Sequence, residues 1–191
     1  MFYAKYLITL LCLFALTGCG DLQDDLFPSS DDKRENVTPG STGHLPGQVA
    51  ADFSVKDSLN NDFVLSENLD GGTNPADLVV LYFTMWCPIC LSHTDHLYSE
   101  IIPQFRGRGT VVYGLVDYVS GSVSATRSSE IANGYANSDF TTLSDVNRKL
   151  FDQFEGSMGT VVVIDSDGTI LLNEDFRTGT ALVDILEREL P

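Results

Sequence analysis

Two cysteines separated by two residues, Cys87 and Cys90, carry the plainest chemical signal in the chain. They stand in Trp86-Cys87-Pro88-Ile89-Cys90, after the apolar run Leu78 to Phe83 and before a helical pattern from Leu91 to Phe105. That order puts the first thiol at a helix N-terminus, where unpaired N–H groups and the positive end of the helix dipole stabilise a thiolate. The second thiol falls on the first helical turn, so the pair can close a short, reducible disulfide. Three readings are open: a redox dithiol, half of a metal site, or a structural disulfide. Structural zinc usually takes four ligands, and the other cysteines, Cys12 and Cys19, both fall near the N-terminus. The isolation of the pair favours the redox reading, with no metal and no cofactor beyond a Cys87–Cys90 disulfide.

The elements that must hold this pair follow from hydrophobic pattern and turn chemistry. Asp52 to Val55 alternates as a strand, Ser58 to Asp62 supplies turn residues and Phe63 to Leu65 returns, which makes a hairpin. Ser66 is expected to cap a short helix through Leu69. The buried strand 78–84 leads into the cysteines. Pro88 suits the first turn of the next helix, and Pro103 is expected to kink or end it. Then come a buried strand at Val111 to Val116, a weaker helix over 125–136, a short strand at Phe140 to Leu143 and a helix from Val146 to Phe154, capped by Ser144 or Asp145. Val161 to Ile164 is a third buried strand, Asp165 to Gly168 a tight turn, Thr169 to Leu172 its antiparallel return, and 179–189 an amphipathic helix. The predicted class is α/β: a central mixed sheet flanked by helices, with an N-terminal β-hairpin extension.

Residues 1–18 read as an export signal, with Lys5 before an apolar stretch, Leu7 to Leu16, too short to span a bilayer alone. The stretch ends in Leu16-Thr17-Gly18-Cys19, which resembles the bacterial lipobox and implies lipidation of Cys19 and loss of Cys12 with the signal. Acyl chains on Cys19 would tether the domain to a membrane, in the cell envelope, facing the periplasm or the exterior. Asp follows Cys19 at position 21 rather than 20, which leans toward the outer membrane if there are two. Residues 19–47 are expected to be the lipidated cysteine and a flexible acidic linker, with His44 solvent-exposed, and 48–191 one domain. The formal net charge of −16 argues against nucleic acid and anionic lipid as partners. A monomer is the default.

The element order with Trp-Cys-Pro-x-Cys after the first long strand resembles the thioredoxin fold, and within it the TlpA/ResA-like branch of extracytoplasmic thiol–disulfide oxidoreductases, grouped with the redoxins. Ala51 to Asp57 is similar to that branch's "PDF-x-L-x-D" opening, and Gly159 to Gly168 to its "P-T-x-x-x-I-D-x-D-G" hairpin. The resemblance implies Cys87 as nucleophile, Cys90 as the buried resolving thiol and Trp86 as a cover, with Pro88 between the cysteines. It implies protein disulfides or thiols as substrates and a separate upstream electron donor.

Three positions depart from the pattern. Gly159 stands where the family has a cis-proline. A non-proline cis bond costs about 2.5–4 kcal/mol, so Met158–Gly159 is expected to be trans. Leu81 replaces a buried acid, and His93, one turn after Cys90, stands where a Glu is common. His93 could take the Cys90 proton or, as imidazolium, lower a thiol pKa; the bland reading is a helix histidine with no chemical role. His96 is expected at the surface. Cys87, Cys90 and His93 could also hold Cu(I), as in Sco-type thioredoxin folds, which space their cysteines by three. A peroxiredoxin-like peroxidase is a third reading, since Thr84 precedes Cys87 by three as in Pro-x-x-x-Thr-x-x-Cys, with Val80 in place of the proline.

Overall fold

Every residue of β3 (Leu78–Thr84) is buried, because both faces of the strand are covered. Leu78, Val80 and Tyr82 point into one core, with Leu97, Ile101, Phe105, Leu182 and Leu186. Val79, Leu81 and Phe83 point into the other, with Phe53, Phe63, Leu150 and Phe154. The strand's two-residue period thus divides one apolar run between two layers. The computed structural model describes residues 37–191; the expected signal 1–18, the lipidation site Cys19 and linker residues 20–36 lie outside these.

The elements are β1 (Ser54–Asp57), β2 (Asp62–Val64), β3, α1 (Pro88–His96), α2 (Ile102–Phe105), β4 (Val111–Asp117), α3 (Val123–Ala132), β5 (Phe140–Ser144), α4 (Lys149–Gln153), β6 (Thr160–Asp165), β7 (Ile170–Asp175) and α5 (Thr180–Glu189). They build a seven-stranded sheet in the order β2-β1-β5-β4-β3-β6-β7. β3, β4 and β5 are parallel, β6 runs antiparallel to β3 and β7 antiparallel to β6, and the β1–β2 hairpin extends the β5 edge. This is the expected mixed sheet with a hairpin extension. Among the described residues no helix is long and apolar enough to cross a membrane.

Local chemistry corrects several expected boundaries. The compact unit begins at Val37, not at 48. Val49 bridges Thr169, Gly47 N–H donates to Ile170 O at 2.8 Å, and Asn173 Nδ2 donates to His44 O at 2.9 Å. The last stretch of the expected linker therefore lies on the sheet, and His44 sits 3.5 Å from Glu155 instead of standing free. Ser66 caps nothing; its N–H and Oγ both donate to the Asp52 carboxylate at 2.9 Å, and the turn there is a 3₁₀ turn, Leu65–Asn68. Pro103 does not end its helix. A π turn, Leu97–Ile101, precedes it and accommodates the missing proline N–H, so the chain stays helical to Phe105.

The helix expected over 125–136 starts earlier, at Val123, because Ser122 Oγ accepts the Ala125 N–H at 3.2 Å. The helix expected from Val146 is broken. Asn147 and Arg148 adopt φ of 65° and 59°, and the Asp145 carboxylate accepts the N–H groups of Leu150 and Phe151, both at 2.9 Å. The regular helix therefore begins only at Lys149.

Candidate active site

The site forms where β3 ends and α1 begins. Thr84, fully buried, accepts the Trp86 N–H on its Oγ1 at 3.1 Å. This closes a tight turn that holds Trp86 at φ 58°, a left-handed conformation that costs a side-chain-bearing residue about 1–2 kcal/mol. The Trp86 ring stacks on Tyr135, centroids 6.4 Å apart and planes 26° apart. Tyr135 is fixed in turn by donating its hydroxyl to Asp95 at 2.6 Å. The strained turn brings Cys87 to the N-cap of α1 with Pro88 in the first turn.

As N-cap, Cys87 accepts the Cys90 N–H on its sulfur at 3.2 Å, and its carbonyl accepts the Leu91 N–H at 2.9 Å. The two sulfurs lie 2.7 Å apart, unbonded. Cys87 is partly exposed, whereas Cys90 has no exposed surface. Desolvation alone would raise the Cys87 thiol. The Cys90 thiol and the backbone N–H groups of the first helical turn outweigh that and hold it below its ordinary 9.0. Burial pushes Cys90 the other way, and its hydrogen bond to Cys87 adds to the rise. At an intermediate pH the outer sulfur is the thiolate and the inner one the thiol.

His93 is held by two aromatic neighbours. Its Nδ1 lies 3.1 Å from the Tyr82 hydroxyl, and its ring lies 4.8 Å from that of Phe176. Burial first, and His96 second, hold it below its ordinary 6.5, which favours the neutral imidazole. His96 is partly covered by Phe176, with centroids 5.9 Å apart, rather than standing free at the surface. Leu81 lies wholly in the apolar core, so no acid stands there to take a proton.

Across from α1 lies the loop before β6. All peptide bonds among the described residues are trans, Met158–Gly159 included, and Gly159 adopts φ 85°. Its N–H donates to Phe83 O at 3.0 Å and its carbonyl accepts the Phe176 N–H at 2.8 Å. The loop thus reaches its position through the left-handed region that glycine occupies freely. It presents Met158, whose sulfur lies 3.3 Å from Cys87 Sγ.

A family model described as the AhpC/TSA family matches residues 46–172. The chain belongs to the AhpC/TSA family. Several solved structures share its fold. A candidate protein disulfide isomerase from Bacteroides thetaiotaomicron aligns at 16% identity over 75% of this chain and 87% of that one, TM-score 0.60. MTB dsbF, in mixed oxidised and reduced forms, aligns at 19% over 71% and 93%, TM-score 0.55. Peroxidoxin BcpB from Mycobacterium tuberculosis aligns at 22% over 75% and 96%, TM-score 0.57. No curated protein matches.

This AhpC/TSA protein is therefore a redoxin of the thioredoxin fold, and family and fold support a redox enzyme of thioredoxin type. Several residues around its cysteines were not singled out by sequence reasoning. Tyr135 holds Trp86, and Tyr82 and Phe176 hold His93; all three are remote in sequence from the groups they fix. Met158 had one available signal, its place directly before Gly159, which stands where the family has a cis-proline.

Proposed function

We propose that this redoxin is an extracytoplasmic, lipid-tethered thiol–disulfide oxidoreductase of the TlpA/ResA-like kind. The observation that carries the reading is the asymmetry of the pair: Cys87 is accessible and held toward the thiolate, while Cys90 is buried 2.7 Å behind it. The Cys87 thiolate attacks one sulfur of a substrate disulfide. A mixed disulfide forms, and the first substrate thiolate leaves and takes a proton. Cys90 then loses its proton and attacks Cys87 Sγ, releasing the second substrate thiol. The substrate gains two electrons and two protons, and the pair becomes a disulfide that an upstream dithiol donor must reduce.

Reduction of a model protein disulfide tests the reading. The chain should catalyse it, Cys87→Ser should not, and Cys90→Ser should accumulate a mixed disulfide. The lipid tether rests on the Leu16-to-Cys19 motif; Cys19→Ser should move the chain from the membrane fraction to the soluble one. The outer membrane and a monomeric state complete the proposal.

A peroxidase is the second reading, favoured by the AhpC/TSA match. Peroxide consumption that requires Cys87 and survives Cys90→Ser would select it.

A further inference from the structure

Met158 is an unusual occupant of the position it holds. It is 41% exposed, yet it sits on a segment pinned at several points. Gly159 is hydrogen-bonded to Phe83 and Phe176, and Ser157 N–H donates to Thr160 Oγ1 at 2.8 Å. An exposed side chain on so fixed a backbone is pre-placed for a neighbour, and its neighbour is the Cys87 sulfur at 3.3 Å. With Cys90 Sγ another 2.7 Å from Cys87 Sγ, three sulfurs from two separate elements converge, the outer two of them reachable from solvent.

We propose that Cys87, Cys90 and Met158 form a three-sulfur site for Cu(I). Two thiolates and a thioether are soft donors, the set that selects Cu(I) over harder divalent ions. Zinc would require further Cys, His, Asp or Glu ligands, and among the described residues no group of three such side chains is placed to hold a metal. His93, the third ligand that spacing alone suggests, is engaged with Tyr82 and Phe176. Binding displaces the thiol protons, so copper and disulfide chemistry exclude each other: the loaded pair cannot attack a disulfide, and the oxidised pair cannot bind the ion. The inference needs only the reduced pair, not a particular disulfide substrate.

The test is an anaerobic titration of the reduced full-length chain with Cu(I) in competition with a coloured Cu(I) chelator. The Cys87→Ser/Cys90→Ser chain is titrated in parallel to subtract binding at Cys12 and Cys19. The expected difference is one Cu(I) per chain. Met158→Leu, which preserves volume, should weaken that binding by at least about tenfold, the low end of what losing even an outer-shell partner costs a metal site. His93→Gln should leave it unchanged, and X-ray absorption should show three sulfur neighbours and no nitrogen. Circular dichroism checks that each variant is folded. Wild-type affinity in folded Met158→Leu would overturn the site. So would a nitrogen neighbour lost in His93→Gln, or one copper shared by two chains. None of these outcomes would touch the disulfide reading, which fails only if the exchange assay fails.

Discussion

The two sides of the site are built by opposite means. On the α1 side, beyond the Trp86 turn, the backbone is regular helix and the side chains are reactive: Cys87 caps a helix with Pro88 in its first turn, and the helix's own N–H groups favour the thiolate. On the facing side the side chains are not nucleophiles and the backbone is special. Gly159, at φ 85°, spends its N–H and its carbonyl on Phe83 and Phe176 to hold Met158 in front of Cys87. Reactivity can thus be read from residue type and helix position, whereas presentation depends on one dihedral angle that only the folded chain reveals.

Substitutions on each side should break this contrast differently. The largest effect falls on the α1 side. Cys87→Ser should reduce disulfide exchange to background, while Cys90→Ser should leave the first attack and block release, read as a mixed disulfide on a non-reducing gel. Neither should unfold the chain, because both exchange sulfur for oxygen at nearly constant volume.

The next effect falls on the loop and appears in stability. Gly159→Pro removes the N–H bonded to Phe83 and forbids the observed φ. The expected loss is about 2–4 kcal/mol in the denaturant midpoint of the reduced chain. Gly159→Ala keeps the N–H, and its Cβ would meet nothing nearer than His93 Nδ1 at 3.6 Å. It should cost about 1–2 kcal/mol, the left-handed backbone term alone. Equal losses for the two variants would show that φ, not the hydrogen bond, decides the loop.

The smallest effect is a pH dependence. His93 titrates below 6.5 in the folded chain, so on acidification the unfolded chain takes up a proton there first. Its contribution to stability is present above about pH 6.5 and is lost as pH falls through the folded value. His93→Gln should flatten that part of the acid limb, measured as denaturant midpoints on either side of it.

The same contrast explains what the sequence made legible. β3, the Cys-x-x-Cys junction and the Asp165-to-Gly168 hairpin could be read because each signal is local: an unbroken apolar run, a cap, a turn. The break at Asn147 and Arg148 could not, because neither residue is a glycine and the conformation is fixed by Asp145 reaching past them to Leu150 and Phe151. The folding of residues 38–49 onto β7 was hidden for a related reason. A polar, glycine-containing stretch reads as linker unless its partner strand is known. His93 was noticed for its spacing from Cys90, yet its direction is set by Tyr82 and Phe176. Gly159 was legible as the missing proline but not as a left-handed residue that places a thioether beside a thiolate.

The division of labour between the two sulfurs is read from the pH profile of alkylation. The reduced chain would be treated with limiting iodoacetamide across a pH series, and each cysteine's modification followed by mass spectrometry. Cys87 should react first, with a midpoint below its ordinary 9.0, and Cys90 only at higher pH. Equal rates, or Cys90 reacting first, would contradict the assignment of nucleophile and resolving thiol.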